Sequence, residues 1–140
     1  MPKADRQTVL ALRWLSKART DLAVATVVLD QGPMMEGRVA CFHAQQAAEK
    51  ALKAVLVARS VEPPFVHNLV ALRALLPGDI DLDVPVESLA ELSAYARGIR
   101  YVINDVDGSE DPTWDEAERA VVAAGRILRA VRSYLGLDAQ

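Results

Sequence analysis

An all-α fold, a five-helix and mostly up-and-down bundle, is predicted by three features of this 140-residue chain. Apolar residues recur at helical spacing through most of its length. The run from Cys41 to Leu56 contains neither Gly nor Pro and is dominated by strong helix formers. The one alternating segment, Asp79 to Pro85, has no second strand to pair with, so it reads as loop.

The elements follow in order. A first helix begins near Asp5 to Thr8 and runs to about Asp30. Leu10, Leu12, Trp14, Leu15, Ala18, Leu22, Ala25, Val28 and Leu29 recur along it, with Arg13, Lys17, Arg19 and Asp21 at polar positions. Gln31-Gly32-Pro33 breaks it. A second helix spans about Met35 to Ser60, and Glu62-Pro63-Pro64 forces an extended segment after it. A short third helix opens near His67-Asn68 and stops before Pro77-Gly78-Asp79. A fourth begins near Val86-Glu87 and reaches at least Arg97, with Gly98 weakening it. Asp105 to Pro112 is an acidic loop. Thr113 and Glu116 form a capping box for a last helix that runs to about Leu135, where Gly136 ends it. No linker separates domains, so one domain spans residues 1–140, with its core over about 8–135.

On a helical wheel the second helix splits. Ala40, Cys41, Ala44, Ala47, Ala48, Ala51, Leu52 and Val55 make a small apolar face suited to close packing. His43, Gln46, Glu49, Lys50 and Lys53 fall opposite, with Val39, Phe42 and Val57 among them. Two readings fit this second face. Polar groups with apolar anchors are the composition of a partner surface. An ordinary amphipathic helix also carries single exposed apolar residues without a role. The partner reading makes Val39, Phe42, His43, Gln46, Glu49, Lys50 and Lys53 candidate interface residues.

Composition bounds the function. The chain is 51% hydrophobic and 25% charged, enough for a real core. A net charge of −3 and a pI near 5.4 argue against charge-driven nucleic-acid binding over the whole surface, and leave room for a local basic patch. The single cysteine, Cys41, sits on the small apolar face and reads as a buried, inert thiol. The N-terminus has no signal-type apolar core and no segment approaches a membrane span, so a cytoplasmic location away from membranes is expected. Two histidines and one cysteine at wide separation give no metal-site spacing, and nothing calls for a cofactor.

Several pieces then coincide in order: Arg13-Trp14-Leu15, Ala18 and Asp21-Leu22; the run from Cys41 to Ala54; Pro64 and His67-Asn68-Leu69; Arg100-Tyr101; and an alanine-rich last helix. Over roughly residues 8–135 the chain resembles the HEPN family, the higher eukaryote and prokaryote nucleotide-binding domains. It looks most like the small prokaryotic branch that accompanies minimal nucleotidyltransferases. The resemblance implies a five-helix bundle that commonly dimerises beside a nucleotidyltransferase, often within a toxin–antitoxin pair, and in some members an RNA-cleaving activity.

The ribonucleases of that family use an Arg followed, after four to six residues, by a His. The logic is metal-independent: the imidazole moves protons and the guanidinium stabilises charge growing on phosphate. The corresponding stretch here, Arg97 to Val106, has Arg97 and Arg100 but no histidine. Asn104 cannot transfer protons near neutral pH, and Asp105 cannot replace His as both acid and base. The same spacing occurs at Arg38 and His43, outside the family's catalytic position, and these two are the remaining catalytic candidates. His67 reads as a helix-opening residue that bonds the turn, with ligand binding as the other possibility.

Tyr95, Arg97, Arg100 and Tyr101 form the best ligand-binding cluster, because guanidinium groups hold phosphate and aromatic rings stack on bases. The competing reading pairs both arginines with Glu91 or Asp105 and sends the tyrosines to the core. The chain has no glycine-rich phosphate loop, and Asp79, Asp81 and Asp83 lack the sheet context of a nucleotidyltransferase, so it is not the transferase itself. Three functional readings remain. The first is a non-catalytic nucleotide- or substrate-binding module, a homodimer that partners a minimal nucleotidyltransferase and contacts nucleotide or RNA. The second is a metal-independent ribonuclease. The third is a structural interaction protein with no nucleotide ligand.

Overall fold

A computed structural model of the protein describes residues 5–97 and 111–137. Those residues form five α-helices and no strand: α1 (Arg6–Gln31), α2 (Gly37–Ala58), α3 (Leu69–Arg73), α4 (Val86–Ser93) and α5 (Trp114–Tyr134). A 3-10 turn over Ala94–Arg97 follows α4. The all-α bundle read from the sequence is therefore the fold observed.

Local chemistry sets the ends. The Asp5 carboxylate accepts the Thr8 N–H at 2.7 Å and caps α1. Gly32 stops that helix at φ +94°, ψ 179°, a conformation open only to glycine without strain. The expected Thr113–Glu116 capping box opens α5, its two bonds 3.1 and 3.3 Å long. Two helices close by the same pair of backbone bonds. After α5, Gly136 (φ +78°) and Leu137 donate to Ser133 and Arg132. After α2, Ser60 (φ +61°) and Val61 donate to Val57 and Leu56, with a serine in the left-handed position that glycine takes in α5.

Helix α2 is the centre of the bundle and touches α1, α3, α4, the 3-10 turn and α5. Its small face is the core: Ala40, Cys41, Ala44, Ala47, Ala48, Ala51, Leu52 and Val55 are all 0% exposed. Alanines there let neighbouring helices approach closely. No residue from Gly37 to Ala58 is exposed, so α2 lacks the open polar face that its wheel suggests. Helix α1 lies along that face, and its N-terminus reaches the far end of α2, where Gln7 Nε2 donates to the Val57 carbonyl at 3.2 Å.

Two boundaries differ from expectation. Helix α4 ends at Ser93, and the chain tightens into the 3-10 turn before Arg97. The Ser93 hydroxyl donates back to the Leu89 carbonyl and accepts the Leu69 N–H, both at 2.8 Å, which competes with helix continuation and ties α3 to α4. Helix α3 is a little over one turn, capped by the Asn68 side chain. The alternation over Asp79 to Pro85 is a loop that lays Ile80 and Leu82 into the core.

Candidate functional site

The polar side chains of α2 gather into three clusters, each facing a different neighbour. The first faces α1. Asp21, only 8% exposed, takes the His43 Nδ1 on one oxygen at 2.8 Å and the Lys50 Nζ on the other at 2.5 Å. His43 and Lys50 are seven residues apart, about two turns, and so share one side of α2. With Nδ1 donating to Asp21, the imidazole Nε2 is directed away from the carboxylate. The Phe42 ring stands edge-on to the imidazole, 5.3 Å between centroids.

The second cluster is built on a buried ion pair. Glu49 and Lys53 are 4% and 6% exposed and bond each other at 3.0 Å. Glu49 also accepts from Gln45 at 3.0 Å and contacts the His67 Nδ1 at 2.9 Å, while Gln45 donates to the His67 carbonyl. The Lys53 ammonium lies 5.8 Å from the centre of the Trp14 ring. Burial alone would raise the Glu49 pKa, but the bonds from Gln45, His67 and Lys53 outweigh it and hold the carboxyl below its ordinary value. Thus Glu49 and Lys53, read from the sequence as surface positions, are buried in the fold. The reason is that α1 and the segment before α3 supply their partners. Val39, Phe42, His43, Gln46 and Lys50 remain half-buried and form the accessible strip of this face.

The third cluster is at the start of α2. Arg38 reaches Glu36 through Nη2 at 2.5 Å and Asp111 through Nη1 at 3.5 Å. Five residues on a helix are separated by about 140° of rotation. Arg38 therefore faces the start of α5 and His43 faces α1, and the structure does not bring this candidate catalytic pair together.

Of the predicted ligand quartet, Tyr95 is described in full. Its ring packs against the core and its hydroxyl donates to Glu116 at 3.2 Å. Burial pushes the phenol pKa up, and the neighbouring Cys41, Glu116 and Glu91 add to that. Tyr95 thus joins the 3-10 turn to the start of α5. The Arg97 side chain, Arg100 and Tyr101 lie outside the described residues, as do Asn104 and Asp105. Glu91, one acid proposed to pair with those arginines, bonds Arg119 at 3.2 Å. Cys41 is buried, and burial pushes its thiol up to about 12, as an inert core cysteine requires.

Five members of these clusters were not singled out from the sequence as site residues: Trp14, Asp21, Glu36, Gln45 and Asp111. A signal existed for Asp21. It sits between Ala18 and Ala25 at inward spacing, a carboxylate on a buried stripe, which requires a partner. Among the described residues no group of His, Cys, Asp and Glu is arranged to hold a metal ion, and no helix is long and apolar enough to cross a membrane.

Comparison with known proteins gives the same architecture. No curated protein matches the chain. Two crystal structures do. TT1696 from Thermus thermophilus is 36% identical, with 88% of this chain and 96% of that one covered at a TM-score of 0.71. ST0689, an archaeal HEPN homologue, is 25% identical over 89% of this chain and 97% of that one, at a TM-score of 0.63. The HEPN domain model matches residues 11–134, from the first turns of α1 to the end of α5. The chain belongs to the HEPN family.

Proposed function

We propose that this protein is a non-catalytic HEPN module that works as a homodimer beside a separately encoded minimal nucleotidyltransferase, and either contributes a nucleotide- or substrate-binding surface or serves as one member of a toxin–antitoxin pair. One observation carries the non-catalytic reading. The stretch in which the family's ribonucleases carry their histidine has none here. Arginine alone stabilises phosphate charge but moves no proton near neutral pH. The half-buried strip of Val39, Phe42, His43, Gln46 and Lys50 supports a partner contact, because its apolar members are flanked by bonded polar groups. Affinity purification from the native host is the test. Recovery of a nucleotidyltransferase with the dimer supports the reading; recovery of the self-associated chain alone, or of a monomer by light scattering, refutes it.

The Asp21–His43 pair favours one second reading. A carboxylate that fixes Nδ1 and leaves Nε2 outward is the arrangement of a general acid–base imidazole. On that reading the protein is a metal-independent ribonuclease. RNA incubated with purified protein in chelator would then be cut, and His43→Ala or Arg100→Ala would abolish cutting. Cleavage untouched by both changes comes from a contaminant.

A further inference from the structure

The exposed face of α5 carries an ordered run of charge. Asp115 and Glu118 stand toward its N-terminal end and Arg126 and Arg129 toward its C-terminal end, with Val122, 55% exposed, between them. All four charged residues are exposed, and none makes an ion pair among the described residues. Their spacing is symmetric. Glu118 and Arg126 lie four residues either side of Val122, and Asp115 and Arg129 lie seven. At about 3.6 residues per turn, both offsets fall within about 40° of the Val122 direction, so the five residues share one stripe. A groove of about 470 Å³ runs beside it, bounded by Val84, Pro85 and Ser88 where the chain enters α4 and by α5 from Asp115 to Arg126. Val122 and Ala123 give that groove an apolar wall, and Arg119, also lining it, is already bonded to Glu91.

We propose that this stripe is the homodimer interface, with α5 of a second copy of this chain lying antiparallel to it across a two-fold axis at Val122. The inference rests on the homodimer reading above and names the surface that the dimer uses. A two-fold axis makes a contact isologous, so every pair of residues occurs twice. Antiparallel α5 helices centred on Val122 bring Glu118 level with Arg126 of the second copy, and Asp115 level with Arg129. Opposite charges then flank a contact between the two Val122 side chains, an apolar centre inside a charged rim. A parallel arrangement would set acid against acid and base against base. Two carboxylates and two guanidiniums leave the stripe neutral, which disfavours a polyanion such as RNA as its occupant. A foreign protein needs only some complementary pattern, whereas even spacing about one residue is what pairing with a copy of itself demands. From Asp115 to Arg129 the stripe is about 21 Å long. Stable interfaces bury on the order of 1,200–2,000 Å², and the groove walls at Val84 and Pro85 extend the contact beyond α5 itself. The half-buried strip on α2 uses none of these residues and is left to the nucleotidyltransferase.

Exchanging the charges tests this, with the oligomeric state of the full chain read by sedimentation equilibrium at low salt. Wild type should be a dimer. Glu118→Arg and Arg126→Glu each set like charges against one another at two places, and each should weaken the dimer by about tenfold or more. Both positions are exposed, so circular dichroism should show the helical fold retained. An equimolar mixture of the two single variants should recover dimers, because in the mixed pair every contact again joins opposite charges. The double variant, Glu118→Arg with Arg126→Glu, should also recover self-association, because exchanging the two ends leaves the pattern self-complementary. Dimers unaffected by either single change overturn the α5 assignment and leave the homodimer reading intact on another surface. Single variants that dissociate but are rescued neither by mixing nor by the double change overturn it as well, since a lost fold would behave in that way. A monomeric wild type overturns the homodimer reading and this proposal together, while association with a nucleotidyltransferase is decided by co-purification.

Discussion

The two ends of α2 handle charge in opposite ways. Toward its C-terminal half, Glu49 and Lys53 are buried beside Trp14 and the His67 segment, and each charge has a bonded partner. At its N-terminal end, Arg38 lies against a cavity with half-exposed carboxylates and one nitrogen unpaired among the described residues. The Glu49–Lys53 pair is itself buried, with the exposed His67 ring at its edge, and ties the chain before α3 to the core. The Arg38 end has room and half-exposed carboxylates with lone pairs to spare. A buried and satisfied polar network specifies packing, whereas an open and unsatisfied one is available to a ligand. The half-buried Asp21–His43–Lys50 group stands between them in position and in exposure.

The largest effect that would break this contrast is at Glu49. Glu49→Ala leaves the Lys53 ammonium buried without its carboxylate, and should cost about 3–5 kcal/mol in urea denaturation. A loss below about 1 kcal/mol, the range of an exposed pair, would mean that the cluster is open to water. Glu49→Gln keeps the shape and sharpens the comparison through pH. The folded pKa of Glu49 is held below its unfolded value, near 4.3 for a free glutamate, so its stabilising contribution is fully present above that value. It is lost as pH falls through the lower folded value. The stability gap between wild type and Glu49→Gln should narrow below about pH 4. A gap that widens in acid contradicts the assignment. The smallest effect belongs to the other end of the helix. Arg38→Leu removes weakly held surface partners together with one unpaired buried donor, so stability should change by about 1 kcal/mol or less. A loss as large as that of Glu49→Ala would make Arg38 a structural clamp, and the two ends would no longer differ.

Several parts of this fold were legible without coordinates, and the reason is local chemistry. Asp5 and Thr113 cap through their own neighbours, and Gly32 and Gly136 stop helices because of their own backbone freedom. The alanine face of α2 announces its burial through spacing alone. The alternation of Ile80 and Leu82 was visible too, and its reading as loop followed from the missing second strand. The end of α4 was not legible, because Ser93 is pulled into a bond with Leu69, which is 24 residues away.

The candidate site divides along the same line. Residue types were plain from the sequence: two histidines, a glutamate and lysine four apart, and an arginine at the head of α2. Helical spacing placed His43, Glu49 and Lys53 on one face but carried no information about what covers that face. Tertiary packing decided it. Asp21 and Trp14 arrive from α1 and His67 from the segment before α3, so two of the seven candidate interface residues, Glu49 and Lys53, are buried inside the fold. Packing also turned Arg38 away from His43 and committed the Tyr95 hydroxyl to Glu116. Periodicity determines which side of a helix a residue occupies, because it depends on rotation per residue. The partner it meets there depends on chain segments distant in sequence, and only the assembled fold supplies them.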